Sequence, residues 1–109
     1  DKIMVKNIKF KEETFTLTMG EFLTLEFLEP MNLSQNELAR NIGVPSSRIN
    51  AIIKGKTKIT LDTDMRLCIF FEKTEGFFLR IQEDLDRREH KAEMESYLKL
   101  IIPYSKRYA

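Results

Sequence analysis

Residues 34–56, SQNELARNIGVPSSRINAIIKGK, leave the backbone few paths. Ser34 with Glu37 three residues later is a capping box, in which each side chain satisfies the other residue's free N–H at a helix start. Gly43 supplies the positive φ that a sharp turn after a short helix needs. Pro45 is tolerated in a helical first turn, where the N–H groups lack partners anyway, and Gly55 ends the helix that Pro45 opens. The stretch predicts a helix to about Asn41, a tight turn, and a second helix from near Pro45. Leu38, Ile42, Val44, Ile49 and Ile52 stand where two such helices would touch, with Ile53 as a further candidate, and Ala39 gives the small residue required at a close crossing. A generic helical hairpin supplies several of these features. All of them in register predict a helix-turn-helix.

The flanks extend the pattern. Thr18 with Glu21 makes a second capping box, and Pro30 ends the helix it opens, with Phe22, Leu25 or Leu28 expected inward. Thr60 or Asp62 can cap a fourth helix through about Phe71, offering Leu61, Met65, Leu67, Cys68 and Phe71 to the core. A fifth helix is expected from Glu75, with Phe77, Phe78, Ile81 and Leu85 at helical spacing. Ile3, Val5, Ile8 and Phe10 form a strand or a loose arm, and Leu98, Leu100 and Ile102 alternate as in a strand. The predicted architecture is an all-α, five-helix repressor-like helix-turn-helix domain over 18–89, between an N-terminal arm or strand (1–17) and a C-terminal extension (90–109). Short terminal β-strands remain open.

The 109 residues suit one domain. Net charge is only +1, but the signs come in blocks. Over 12–37 the charged residues are Glu12, Glu13, Glu21, Glu26, Glu29 and Glu37; over 38–61 they are Arg40, Arg48, Lys54, Lys56 and Lys58. This order gives two surfaces of opposite sign. The mixed run over 83–95 reads as a solvated helix face.

Catalytic chemistry has little to work with. Cys68 is the single cysteine and His90 the single histidine, so neither an intrachain disulfide nor a Cys/His zinc site can form. Asp62 and Asp64 sit at a helix start, where carboxylates meet the dipole favourably. No glycine-rich phosphate loop is present, and no cofactor is implied. With no apolar run of roughly 20 residues, a cytoplasmic, non-membrane setting is expected.

Three stretches resemble the HigA-like antitoxins, with their phage-repressor-type helix-turn-helix: GEFLTLEFLEPMNLSQNELARNIGVPSSRINAIIKGKTKIT (20–60), DTDMRLCIFF (62–71) and GFFLRIQEDLD (76–86). The resemblance implies a protein that neutralises a RelE-like ribonuclease toxin, HigB, by direct binding and represses its own operon, without catalysis. The toxins of such pairs are typically basic, so the acidic block, Glu21, Glu26 and Glu29 in particular, is the expected toxin surface; capping and solvated helix faces explain these glutamates equally well. A stand-alone phage-like repressor, or a helix-turn-helix used only for protein contacts, are the competing readings.

In this motif the second helix enters the major groove with its first turn at the base edges. Ser46, Ser47 and Asn50 then face the bases, Asn50 being suited to adenine, while Arg48 takes guanine or phosphate. Gln35 occupies a position where related repressors hold a phosphate, and Lys54 and Lys56 would clamp the backbone beyond. Lys58 reads better as a solubilising residue. Operators of two half-sites call for a homodimer, with Phe77, Phe78, Ile81 and Leu85 as candidate interface residues, although at least two of the aromatics are expected in the core.

Overall fold

The computed structural model describes residues 17–108. The expectation of an N-terminal strand or arm lies outside them. Among the described residues every regular element is helical: α1 (Met19–Leu23, running on as a π-helical segment Thr24–Leu28), α2 (Gln35–Ile42), α3 (Ser46–Ile53), α4 (Leu61–Phe71), α5 (Phe77–Leu98) and the one-turn α6 (Tyr104–Arg107).

Both predicted capping boxes are formed. Thr18 Oγ1 accepts from Glu21 N–H at 3.0 Å while Glu21 Oε1 accepts from Thr18 N–H at 2.9 Å, and Ser34 and Glu37 repeat the exchange at 3.0 and 3.1 Å. The end of α1 departs from the expected period. Phe22, Leu23, Phe27 and Leu28 are buried and Leu25 is exposed. The inward pairs lie five residues apart, the period of a π turn, which the Glu29 N–H to Thr24 C=O bond (2.9 Å) closes. Leu25, expected as an inward candidate, is thereby rotated out.

The core is one cluster. Leu38, Ala39, Ile42, Ile49 and Ile52 bring α2 and α3 together, as the register required. Leu67, Cys68 and Phe71 of α4 and Phe78 and Leu85 of α5 close the other side. Phe27 sits among aromatic rings, 4.6 Å from Phe71 and 5.2 Å from Phe78 between centroids. Leu61 and Met65, offered to this core by the sequence, are exposed instead, because Thr63, Asp64, Leu67, Cys68 and Phe71 take the inward face of α4.

Two elements begin or end differently from expectation. α5 starts at Phe77 rather than Glu75, with Gly76 at φ 90° before it. It then runs to Leu98, and the chain turns at 99–100 instead of forming the strand expected from Leu98, Leu100 and Ile102. Alternation over three residues could not distinguish a strand from a helix end, and no neighbouring strand is available to pair with it among the described residues.

Candidate nucleic-acid interface

The turn of the motif is built as the glycine demanded. Gly43 has φ 73°, and its N–H and that of Val44 close the end of α2 on Arg40 and Ala39 carbonyls at 3.3 and 3.0 Å. Arg66 of α4 then reaches the same turn, its Nη1 donating to the carbonyls of Ile42 (2.8 Å) and Gly43 (3.3 Å). Cations are favoured at a helix C-terminus for the same reason that carbonyls are left free there.

α3 presents the side chains chosen from the sequence. Ser46 and Ser47 are exposed in its first turn, and Lys54 and Lys56 are exposed after its last. Asn50 and Gln35 meet: Asn50 Nδ2 donates to Gln35 Oε1 at 3.3 Å. One bond therefore fixes the orientation of two candidate contacts on neighbouring helices.

Arg48 is tied more firmly than its position suggested. Its Nη1 lies 2.7 Å from Asp62 Oδ2, and the same oxygen accepts from Arg66 Nε at 3.1 Å. The Arg48 guanidinium, and after it that of Arg66, hold the Asp62 carboxyl below the usual carboxylate range. Asp62 thus bridges α3 to the arginine that closes the turn. The Asp62–Arg66 spacing of four was legible as a helical ion pair; the cross-helix arm to Arg48 carried no sequence signal.

Lys58 points elsewhere. It is 2.5 Å from Asp86 of α5, and next to it the Gln82 carboxamide pairs with both backbone groups of Ile59, accepting from N–H at 2.7 Å and donating to C=O at 3.0 Å. The loop after α3 is thereby pinned to α5, with Lys54 and Lys56 left outward.

Asp64 corrects the capping expectation. Besides the Cys68 thiol of its own helix, it serves the next one: fully buried, it accepts from the N–H groups of Gly76 (2.8 Å), Phe78 (2.9 Å) and Leu79 (3.1 Å) at the start of α5. A helix whose own N-cap is glycine receives its cap from the helix before it. Gly20 is a second feature missed. A Cβ there would stand 2.1 Å from the Ile53 carbonyl oxygen, so α1 lies directly on the end of α3. Only a residue without a side chain admits that approach.

The acidic residues divide. Glu21 is committed to its capping box, Glu29 is exposed and lines an open cleft with Asn32, Gln35 and Glu37, and Glu26 is half-buried. Burial pushes the Glu26 carboxyl up, and its Oε2 is buried with no hydrogen bond among the described residues. Of the candidate dimer residues, Phe78 and Leu85 are spent in the protomer's own core, because they form the inward face of α5; Phe77 and Ile81 are half-buried, with the Lys73 ammonium 5.2 Å over the Phe77 ring. No helix among the described residues is long and apolar enough to cross a membrane.

The family model described as helix-turn-helix matches residues 25–78. The virulence-associated protein I of Dichelobacter nodosus is 36% identical over 95 residues, 87% of each chain. An addiction module antidote protein of a HigA family from Coxiella burnetii superposes with a TM-score of 0.74 at 32% identity, over 84% of this chain and 100% of that one. The antitoxin HigA of Pseudomonas aeruginosa, solved with the higBA promoter, gives 0.73 at 25% identity over 83% and 99%.

Proposed function

The chain belongs to the HigA family of helix-turn-helix antitoxins, and from that premise we propose that it binds operator DNA as a homodimer, represses its own operon and neutralises a RelE-like ribonuclease toxin by direct contact. The observation that carries the DNA half of this reading is the Asn50–Gln35 hydrogen bond beside the exposed Ser46 and Ser47. Asn50 addresses adenine, the serines reach base edges or phosphates, Gln35 holds phosphate at the start of α2, and Lys54 and Lys56 clamp the strand beyond. Arg48 reaches DNA by exchanging Asp62 for guanine or phosphate. None of these roles is catalytic.

The toxin half rests on charge. Glu29 and Glu37 open onto a cleft between α1 and α2, and an acidic surface of this kind attracts a basic partner. Reversing Glu26 and Glu29 together weakens toxin affinity at low salt; unchanged affinity removes this surface from the proposal.

A salt-dependent titration of the protein against its own upstream DNA, with and without the product of the adjacent gene, tests the whole. Specific binding that the neighbour modulates is the expected result. Specific binding indifferent to the neighbour leaves a plain repressor, and binding no tighter than to random DNA overturns the reading.

A further inference from the structure

Two apolar surfaces of this chain face solvent. On α4, Leu61, Met65 and Ile69 succeed one another at intervals of four, all exposed and Ile69 to 81%, opposite the inward face. This stripe ends at Glu72, with Glu75 beyond it. The second surface is the arm formed by the end of α5 and the residues after it. From Arg87 to Tyr108 every described residue is exposed, including Tyr97, Leu100, Ile101, Ile102, Tyr104 and Tyr108. Soluble chains rarely leave so much contiguous apolar surface without a use for it.

The arm cannot cover its own stripe in this fold. α5 is an unbroken helix of 22 residues, about 33 Å long. Gln82 and Asp86 already reach Ile59 and Lys58, just before α4 begins, so the residues after Asp86 run past that end of α4. The molecule is accordingly 57 Å long but only 27 and 25 Å across. Charge points the same way. From Lys99 onward the arm holds Lys99, Lys106 and Arg107 and no acid, whereas the stripe ends at Glu72 and Glu75, the intervening Lys73 lying over the Phe27 and Phe77 rings.

We propose that the arm of one copy docks on the α4 stripe of a second copy, and reciprocally, so that residues 97–108 and Leu61, Met65, Ile69 and Glu72 form the two halves of an isologous interface. The exchange closes on itself and leaves neither surface open for further growth. It is also large enough. Tyrosines bury roughly 150–250 Å² each, and Tyr97, Tyr104 and Tyr108 are about two-thirds or more exposed. With the neighbouring aliphatics, two arms bring on the order of 1,000 Å², about the area a specific interface needs. This pairing rests on the dimer reading above and gives it a surface, in place of the inward-facing Phe78 and Leu85.

Sedimentation of the full chain without DNA tests it, with circular dichroism melts to verify that each variant is folded. Wild type is expected to be a dimer at micromolar concentration. Ile69→Lys and Ile101→Asp, both at exposed positions, should each raise the dimer dissociation constant about tenfold or more with little change in the protomer's spectrum. Glu72→Lys and Arg107→Glu should each weaken the dimer, and together restore it. A wild-type monomer overturns both this interface and the dimer reading. A dimer that survives Ile69→Lys overturns only the interface, in favour of arm-to-arm pairing. Charge reversals that fail to compensate overturn the proposed register.

Discussion

The body of the molecule, 17–86, and the arm, 87–108, are made of similar residues and behave oppositely. Both carry leucines, isoleucines and aromatic rings; in the body most of these are buried in one cluster, and in the arm every one is exposed. The body is also cross-braced by polar groups acting between helices: Asp64 at the start of α5, Arg66 at the end of α2, Gln82 on the loop after α3. In the arm, Arg87 bonds to Glu83 and His90 to the Asp86 carbonyl, each four residues back along the same helix. Apolar content alone therefore does not decide burial. A second surface within reach does, and polar bonds between elements then fix the geometry.

The contrast is broken most severely at Gly20. Gly20→Ala drives a methyl group into the Ile53 carbonyl and is expected to cost about 3–4 kcal/mol, measured by urea unfolding, because backbone rather than a flexible side chain must yield. An alanine at Ser105 in the arm should stay within about 0.5 kcal/mol of wild type.

Next comes Asp64→Ala. It leaves three N–H groups at the start of α5 unpaired, one buried and two part-buried, and should cost about 2–3 kcal/mol, with fast hydrogen exchange appearing at Gly76, Phe78 and Leu79. Exchange in the arm should not change.

Within the proposed DNA face the same distinction separates a positioned residue from an exposed one. Asn50→Ala removes the bond to Gln35 and, on the proposed role, a base contact, and should cost about 1–3 kcal/mol at one operator position. Lys56→Ala should weaken all sequences alike and lower the salt slope by about one. Equal losses on operator and random DNA for Asn50→Ala would remove it from the bases.

The smallest effect is electrostatic. Asp62 has a lowered folded pKa, so the stability its ion pairs contribute is present above the unfolded carboxyl value and is lost as pH falls through the folded one. A carboxyl-carbon NMR titration should give a midpoint that rises in Arg48→Ala. Both partners are exposed, so the change in global stability should be slight.

Much of the fold was legible because its signals are local. Capping boxes, Gly43, Pro45 and the α2/α3 apolar register lie within a few residues of the structure they specify, and each formed as expected. The legible part of the candidate site was its outward face, since Ser46, Ser47, Lys54 and Lys56 are exposed; the bond between Gln35 and the half-buried Asn50 had no local signal. What was misread depends on length or distance. Three alternating residues cannot distinguish a strand from a helix end, and a π turn shifts the inward face of α1 by one residue, which turned Leu25 out.

Local residues, then, were enough to set where most helices start and stop and which faces could be apolar, since caps, turns and periodicity act over one or two turns of backbone. Packing chose the partners. Asp64 stood at the start of α4, Gly20 was an ordinary helical glycine and Phe78 an eligible interface residue, until the packing of α1 on α3 and of α4 on α5 gave each its partners. Those choices belong to groups many residues apart in the chain, and no local propensity encodes them.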